Sequence, residues 1–177
     1  PVFLVGESLG GAVAMLAALE VPDKVAGIVL AGPAVREGIR LRYGWNAAIA
    51  SAAFLAPGYQ LTVNRDPDDP NLAADSAQRL ANDPRVIREV RMDAYWGLIQ
   101  LADSASDQAP SLQVPSLLLY GGKDNSVPAA GINHLHDHLA DRGEYRFYPQ
   151  GPHLLLQGPQ WQNVADHILD WVARTSP

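Results

Sequence analysis

The chain has 177 residues, a net charge of −6 and 47% hydrophobic residues. This composition fits a folded domain with a hydrophobic core and argues against a disordered chain. The thirteen basic residues form no cluster, which argues against a nucleic-acid-binding surface. No apolar run reaches the roughly 18 residues of a transmembrane helix. There is no cysteine, so disulfides, thiolate metal sites and cysteine nucleophiles are excluded.

The first segment alternates between strand and helix patterns. Residues 2–5 form a short apolar run that predicts a buried strand, and residues 10–19 predict a helix. Residues 25–30 predict a second buried strand, because an apolar run without alternation is typical of a parallel sheet covered on both faces. The chain begins at Pro1, directly before the first predicted strand, so we expect that the true start of the gene product is absent.

The middle of the chain has a different character. Residues 34–110 contain several prolines and helical stretches separated by polar loops. Asp83 is predicted to cap a helix that has Pro84 at its first position and continues through residues 85–102. We therefore interpret residues 34–110 as a helical insertion.

The strand and helix alternation resumes after this insertion. Two strands and two helices are predicted there, at residues 116–120, 129–140, 145–148 and 159–173. The alternation favours an α/β fold in which residues 1–33 and 111–177 together form parallel strands with flanking helices.

The most informative motif follows the first predicted strand. The stretch Gly6-Glu-Ser-Leu-Gly10 matches G-x-S-x-G between a strand and a helix, which is the context of a nucleophile turn. Such a tight turn holds Ser8 in an unfavourable backbone conformation, and side chains at Gly6 and Gly10 are expected to collide with neighbouring elements. The Leu9 N–H is then able to point at a developing oxyanion. A serine-capped glycine turn and a phosphate loop are the alternatives, although no G-K-[ST] follows.

A serine nucleophile needs a base, and the base needs an orienting carboxylate. Where this turn occurs, the acid and then the histidine follow later strands. Asp124 follows the predicted strand at 116–120, and His153 follows the one at 145–148. We therefore predict a Ser8–His153–Asp124 triad. The alternatives are an Asx turn at Asp124 and a surface-loop position for His153.

The other histidines lie within predicted helices. His134 and His138 share a helix face at a spacing that can bind zinc, but no H-E-x-x-H pattern or third ligand accompanies them. We interpret these two residues and His136 as part of a solvated face, and His167 as structural. No metal and no cofactor are predicted.

With the three triad motifs in this order, the chain resembles the α/β-hydrolases, and within them the monoacylglycerol lipase and lysophospholipase group. The closer resemblance rests on the following stretches: Gly6-Glu-Ser-Leu-Gly-Gly11, Leu30-Ala-Gly-Pro-Ala34, Arg65-Asp-Pro67, Asn82-Asp-Pro84, Leu117-Leu-Leu-Tyr-Gly-Gly-Lys-Asp124 and Tyr148 to His153. It implies that Ser8 is the nucleophile, His153 the general base and Asp124 its orienting acid. It also implies that residues 34–110 form a cap over the site.

Two features depart from that group. Glu7 stands where a histidine is usual, and the strands that precede the nucleophile strand in such enzymes have no counterpart in this chain. Those strands would pair along the edge formed by residues 2–5, and one of their loops would carry the second oxyanion donor. The resemblance therefore implies a partner, the N-terminal half of the same enzyme as a separate chain or fragment. We expect residues 2–5 to be buried on both faces with that partner, and to leave an open edge and an exposed apolar face in this chain alone.

Several functions remain open at this point. The first is a serine ester hydrolase that acts on a monoacylglycerol-like or other acyl ester, with a transient lipid-interface contact. The second is a non-catalytic fragment, or one subunit of a nicked or split hydrolase. Peptide, lactone and thioester cleavage also fit the triad. An apolar acyl slot is predicted in the cap, with lining candidates whose alternative role is ordinary cap packing: Trp45, Ile49, Phe54, Leu55, Tyr95 and Leu98.

Overall fold

The structure is a computed structural model that describes residues 1–36 and 39–176. Its main elements, in chain order, are β1 (Phe3–Glu7), α1 (Leu9–Glu20), β2 (Gly27–Ala31), α2 (Ile39–Leu55), β3 (Gln60–Thr62), α3 (Ala74–Asn82), β4 (Glu89–Arg91), α4 (Met92–Gln108), β5 (Ser116–Gly121), α5 (Ala129–Leu139), β6 (Gly143–Tyr148) and α6 (Trp161–Thr175). None of the described helices combines the length and the apolar character needed to cross a bilayer.

A four-stranded parallel sheet forms the centre of the molecule, in the order β1-β2-β5-β6. Every residue of β2 and β5 is buried. Their uninterrupted apolar sequences therefore fit central strands that are covered on both faces. The α/β architecture predicted from the sequence is confirmed.

Helices cover the two faces of this sheet unequally. On one face, Met15 of α1, Ala105 of α4 and Leu135 of α5 share a core with inward-facing residues of β2 and β5. On the other face, α6 packs Val164 and Trp171 against the remaining side chains of the same strands. The second half of α4 thus packs against α1, which joins the middle segment of the chain to the core.

Strand β1 is an edge strand, because within the described residues only β2 pairs with it. Leu4 packs into the core on the α1 face, and Phe3 meets Trp171 edge-on with ring centroids 5.8 Å apart. Val5 points to the same face as Phe3 but is 52% exposed. In this chain by itself the strand is therefore not buried on both faces, since the packing of Trp171 against Phe3 does not extend to Val5.

The middle segment contains α2, α3, α4 and a short antiparallel pair, β3 and β4. The helix predicted from Pro84 onward is wrong in its first part, because α4 begins only at Met92. Asp83 follows the end of α3, and its Oδ1 accepts the Arg85 N–H at 2.9 Å in an Asx turn. Residues 89–91 become a strand because β3 supplies a pairing partner that the local sequence does not reveal.

Candidate active site

The turn after β1 holds Ser8 in a strained backbone conformation. Its φ of 53° and ψ of −121° lie in a region that non-glycine residues rarely adopt. The Ser8 N–H donates to the Ala31 carbonyl at 2.9 Å, and the Ser8 carbonyl accepts the Ala34 N–H at 2.8 Å. Bonds to the end of β2 and to the loop after it therefore stabilise the strained residue.

Glycines allow the turn to close tightly, although not at both expected positions. A Cβ atom on Gly6 would lie 2.2 Å from the Gly10 carbonyl oxygen, and one on Gly11 would lie 2.7 Å from Cβ of Pro33. A Cβ atom on Gly10 would meet no other atom of the described structure within 4 Å. The crowding expected at Gly10 is thus found at Gly11, where α1 passes close to the loop after β2.

The three predicted triad side chains lie in one hydrogen-bonded row. His153 Nε2 is 2.8 Å from Ser8 Oγ, and His153 Nδ1 is 2.8 Å from Asp124 Oδ2. A carboxylate can only accept, so the partners assign the proton to Nδ1 and leave Nε2 to accept the Ser8 hydroxyl proton. This is the arrangement in which an imidazole can act as base toward a serine hydroxyl.

Asp124 is held as a carboxylate by several donors. Its side chain is only 1% exposed, and its Oδ1 accepts the N–H groups of Ser126 and Val127 at 2.8 and 2.9 Å. Burial by itself would raise the pKa of Asp124, but the hydrogen bonds from His153, Val127 and Ser126 outweigh it and lower the pKa below its ordinary value. The Asx turn and the contact with His153 use different oxygens, so these two interpretations of Asp124 are compatible.

Neighbouring strands fix the acid loop on both sides. The buried Tyr120 hydroxyl donates to the Val127 carbonyl at 2.9 Å, which anchors the residues after Asp124. The Lys123 N–H donates to the Gly151 carbonyl at 2.9 Å, which ties the acid loop to the loop that carries His153. Sequence reasoning missed Tyr120, since a buried tyrosine in a strand is usually only part of the core.

Gly32 was also missed by sequence reasoning. It follows β2 with a φ of +47°, and a Cβ atom there would lie 3.1 Å from the His153 carbonyl oxygen and 3.3 Å from Asp124 Oδ2. Positive φ and close packing both favour glycine at this position. The available signal was a glycine at the end of the strand next to the nucleophile strand.

The Leu9 N–H begins helix α1 beside the Ser8 hydroxyl. As the first helical residue, Leu9 has an N–H without an acceptor inside the helix. The Ser8 side chain makes no capping hydrogen bond to α1, which contradicts the interpretation of this motif as a simple serine cap. The amino end of α1 thus offers a donor and a favourable dipole to a negative charge that forms on a carbonyl oxygen bound next to Ser8.

The predicted acyl-slot residues are less tightly organised than the triad. Phe54 and Leu55, at the end of α2, are 86% and 78% exposed. Leu98 is also exposed, whereas Ile49 and Tyr95 are half-buried. The side chain of Trp45 lies outside the described residues. The structure therefore does not bury Phe54 and Leu55 against other cap residues.

The remaining histidines make local contacts. His138 Nδ1 is 2.7 Å from the His134 carbonyl oxygen, and the two rings are 4.3 Å apart. The ring of His136 stacks near Tyr145, and His167 Nδ1 is hydrogen-bonded to the Tyr148 hydroxyl at 2.8 Å. Across residues 1–36 and 39–176, no three potential metal-ligating side chains come together.

Among curated proteins, this chain is similar in sequence to several lipases. The chain is 28% identical to a monoacylglycerol lipase of Mycolicibacterium smegmatis over 97% of this chain and 62% of the relative. It is 25% identical to phospholipase YtpA of Bacillus subtilis over 93% of this chain and 64% of the relative. A shorter match, 50% identical over 32% of this chain, is to lipase LipV of Mycobacterium tuberculosis, of which it covers 22%. The chain thus spans less than two thirds of the length of these relatives.

Solved structures share the fold over nearly the whole chain. A monoacylglycerol lipase of Paleococcus ferrophilus superposes with a TM-score of 0.79 at 24% identity, covering 98% of this chain and 68% of that structure. A monoglyceride lipase of Saccharomyces cerevisiae gives the same TM-score at 15% identity, covering 99% of this chain and 66% of that structure.

A family model described as serine aminopeptidase, S33, matches residues 1–160. This match covers the nucleophile turn, the acid loop and the histidine loop. Together with the lipase relatives, it confirms the resemblance to the monoacylglycerol lipase group. The chain therefore belongs to the serine aminopeptidase S33 family of α/β-hydrolases.

Proposed function

We propose that this chain carries the catalytic triad of a serine ester hydrolase that acts on monoacylglycerol-like or other acyl esters. The observation that carries the proposal is the row of hydrogen bonds from Ser8 through His153 to Asp124, each 2.8 Å long. The names of the relatives, monoacylglycerol lipase and phospholipase, support esters as the substrate class.

In the proposed acylation step, Ser8 Oγ attacks the ester carbonyl carbon while His153 Nε2 takes the hydroxyl proton. The Leu9 N–H donates to the oxyanion of the tetrahedral intermediate. Asp124 stabilises the imidazolium and keeps its ring oriented. His153 then gives the proton to the leaving alkoxide oxygen, the carbon–oxygen bond breaks, and an acyl-Ser8 ester remains.

In the proposed deacylation step, His153 takes a proton from water as the water oxygen attacks the acyl-Ser8 carbonyl. The bond to Ser8 Oγ breaks, His153 returns the proton to Ser8, and a carboxylic acid leaves. The chain's own residues supply every proton transfer in this sequence, so the proposal involves no cofactor.

We also propose that the N-terminal half of the same enzyme, as a separate chain or fragment, pairs with β1. The unpaired edge of β1 and the exposed Val2 and Val5 support this partner, because an open strand edge with apolar side chains is prone to association. This partner would bring the second oxyanion donor near Ser8.

Labelling with a fluorophosphonate probe tests both proposals. We expect Ser8 to be labelled when the chain is co-expressed with the N-terminal half of a homologous hydrolase, and the chain alone to be insoluble or unlabelled. A soluble, cooperatively folding chain that is fully active alone would contradict the partner proposal. An assembled enzyme that is not labelled at Ser8 would instead favour the alternative of a non-catalytic fragment.

Peptide cleavage is the second candidate function, because the matching family is described as a serine aminopeptidase. Parallel assays with monoacylglycerols, p-nitrophenyl esters and amino-acid p-nitroanilides separate the two reactions. We expect ester hydrolysis to dominate, with acyl chains of intermediate length preferred over acetyl. A strong preference for the anilides would assign the chain to peptidase chemistry.

A further inference from the structure

The residue before Ser8 has a carboxylate that reaches the loop after His153. Glu7 Oε1 accepts the Leu156 N–H at 2.7 Å, and Glu7 Oε2 accepts a hydrogen bond from Gln157 Nε2 at 3.0 Å. These partners lie 149 and 150 residues further along the chain. One carboxylate thus holds two consecutive residues of a single loop.

Within the loop that follows His153, the Gln157 and Gly158 N–H groups donate long hydrogen bonds, at 3.3 and 3.4 Å, to the Leu154 and Leu155 carbonyls. Residues 149–160, which include His153, contain neither helix nor strand. Leu155 anchors the loop to the core, because its side chain is buried beside α6. The Leu156 N–H donates to Glu7 Oε1. Hydrogen bonds to an ionised acceptor are shorter and stronger than neutral ones, so this contact is well suited to fix the loop.

The same loop also contacts the middle segment of the chain. The Gln157 carbonyl accepts the Ala73 N–H at 2.7 Å, and Ala73 directly precedes α3. Gln157 therefore binds Glu7 through its side chain and the start of α3 through its main chain. The nucleophile turn, the histidine loop and the cap meet at this one residue.

We infer that Glu7 is a positioning residue whose carboxylate fixes the loop of residues 154–158 to the nucleophile turn, and so holds His153 within hydrogen-bonding distance of Ser8. Glu7 adjoins Ser8 in the chain, and the loop adjoins His153. The two hydrogen bonds therefore constrain the nucleophile turn and the histidine loop relative to each other, in addition to the Ser8–His153 contact itself. This inference rests on the proposed function, since the position of a base affects a rate only if Ser8 is the nucleophile.

Three variants test the inference. E7A removes both hydrogen bonds. Q157E places two carboxylates about 3 Å apart, where like charges repel strongly. The double variant E7Q/Q157E exchanges the two side chains: the amide oxygen introduced at position 7 still accepts the Leu156 N–H, and its NH₂ group donates to the carboxylate introduced at position 157. E144A is the matched control, because the partners that the described residues give the Glu144 carboxylate are the exposed Arg146 and Arg174.

Two measurements are made on each variant. The first is kinetic: the rate of fluorophosphonate labelling of Ser8, and kcat and KM for a p-nitrophenyl ester. It is made on whichever form, the chain alone or the assembled enzyme, the probe labels in the wild type. The second is the low-field proton resonance of His153 Nδ1–H, which reports the bond to Asp124 and requires no reaction. We expect E7A and Q157E to lower the labelling rate and kcat by roughly ten- to a hundredfold with KM little changed, as misplaced catalytic groups do. Both should shift or broaden the resonance.

The double variant should recover most of the rate and the resonance, and E144A should resemble the wild type. Wild-type labelling and an unchanged resonance in E7A would overturn the inference. Equal losses in Q157E and in E7Q/Q157E, matched by equal losses of thermal stability, would also overturn it, because they would indicate general damage to the fold. If the wild type is not labelled at all, the proposed function fails, and the His153 resonance alone still decides the role of Glu7.

Discussion

Two regions of the molecule differ in how firmly they hold their candidate functional side chains. The first is formed by the carboxyl ends of β1, β5 and β6, and the second is the segment between β2 and β5. At the strand ends, Asp124 is 1% exposed and every polar atom of its carboxylate has a partner. In the middle segment, Phe54 and Leu55 stand 86% and 78% exposed at the end of α2. The proposed catalytic groups therefore lie at well-ordered strand ends, whereas two of the residues predicted to line the acyl slot are largely exposed.

This difference predicts which substitutions should change the reaction rate and which should leave the stability of the fold unchanged. Strand ends in a parallel sheet are fixed by hydrogen bonds and by packing on both faces, so a small change there displaces reacting atoms. Exposed cap side chains have little packing to lose, so a change there leaves the fold intact. The following predictions test this contrast, beginning with the largest expected effect.

Ser8→Ala should abolish fluorophosphonate labelling and lower ester hydrolysis by at least about 10⁴-fold, because it removes the nucleophile. Mass spectrometry of the labelled protein and a p-nitrophenyl ester assay measure the two effects. Ser51→Ala is the control, since Ser51 is an exposed serine whose hydroxyl donates to the Ala47 carbonyl of its own helix. Undiminished activity in Ser8→Ala, with another serine labelled, would refute the assignment.

Asp124→Asn should lower kcat by about 10³- to 10⁴-fold, because an amide in place of the carboxylate favours the wrong imidazole tautomer. It should also change the pH dependence of folding. The pKa of Asp124 is lowered in the folded chain, so its contribution to stability is present above the ordinary range of an aspartate and is lost as the pH falls through the lowered value.

Urea unfolding between pH 7 and pH 3 measures that second effect. We expect the variant to lose less stability on acidification than the wild type does. Asp66→Asn is a suitable control, because Asp66 is exposed and its carboxylate accepts the nearby Asp68 N–H. If the free energy of unfolding depended on pH in the same way in the wild type and in Asp124→Asn, the hydrogen bonds to the Asp124 carboxylate would not contribute to stability as inferred.

Gly32→Ala should destabilise the protein by about 1–2 kcal/mol, since an L-residue is unfavourable at positive φ. The added Cβ would also lie 3.1 Å from the His153 carbonyl oxygen, so a loss of kcat of roughly tenfold should accompany it. Thermal unfolding and ester kinetics check both parts. Gly58→Ala serves for comparison, because a Cβ there meets no described atom within 4 Å. Equal behaviour of the two variants would argue against a role for Gly32 behind the triad.

Phe54→Ser combined with Leu55→Ser should leave the free energy of unfolding within about 0.5 kcal/mol of the wild type, because both side chains are exposed. If they line the acyl slot in the assembled enzyme, kcat/KM for long-chain esters should fall several-fold while acetyl ester hydrolysis stays unchanged. A chain-length series of p-nitrophenyl esters measures this. An equal change for all chain lengths would remove Phe54 and Leu55 from the substrate site.

The sequence located most of the core elements because their signals are local. The apolar runs of β2 and β5 and the G-x-S-x-G turn each contain the information for their own structure. Residues 89–91 failed this test, since they pair with β3 nearly thirty residues earlier and their strand character depends on that partner. About the first two turns of the helix predicted over residues 85–102 were lost, because α4 begins only at Met92 and residues 89–91 pair with β3 instead.

The sequence by itself determined the α/β class, the tight turn at Ser8 and the order in which Ser8, Asp124 and His153 follow the strands β1, β5 and β6. Only the tertiary structure decided that Glu7 binds Leu156 and Gln157, that Gly32 packs behind His153, and that Val5 is exposed. Turn geometry and strand hydrophobicity are properties of a few consecutive residues. A contact across 149 residues depends on where the whole sheet brings two loops, and no local pattern records it.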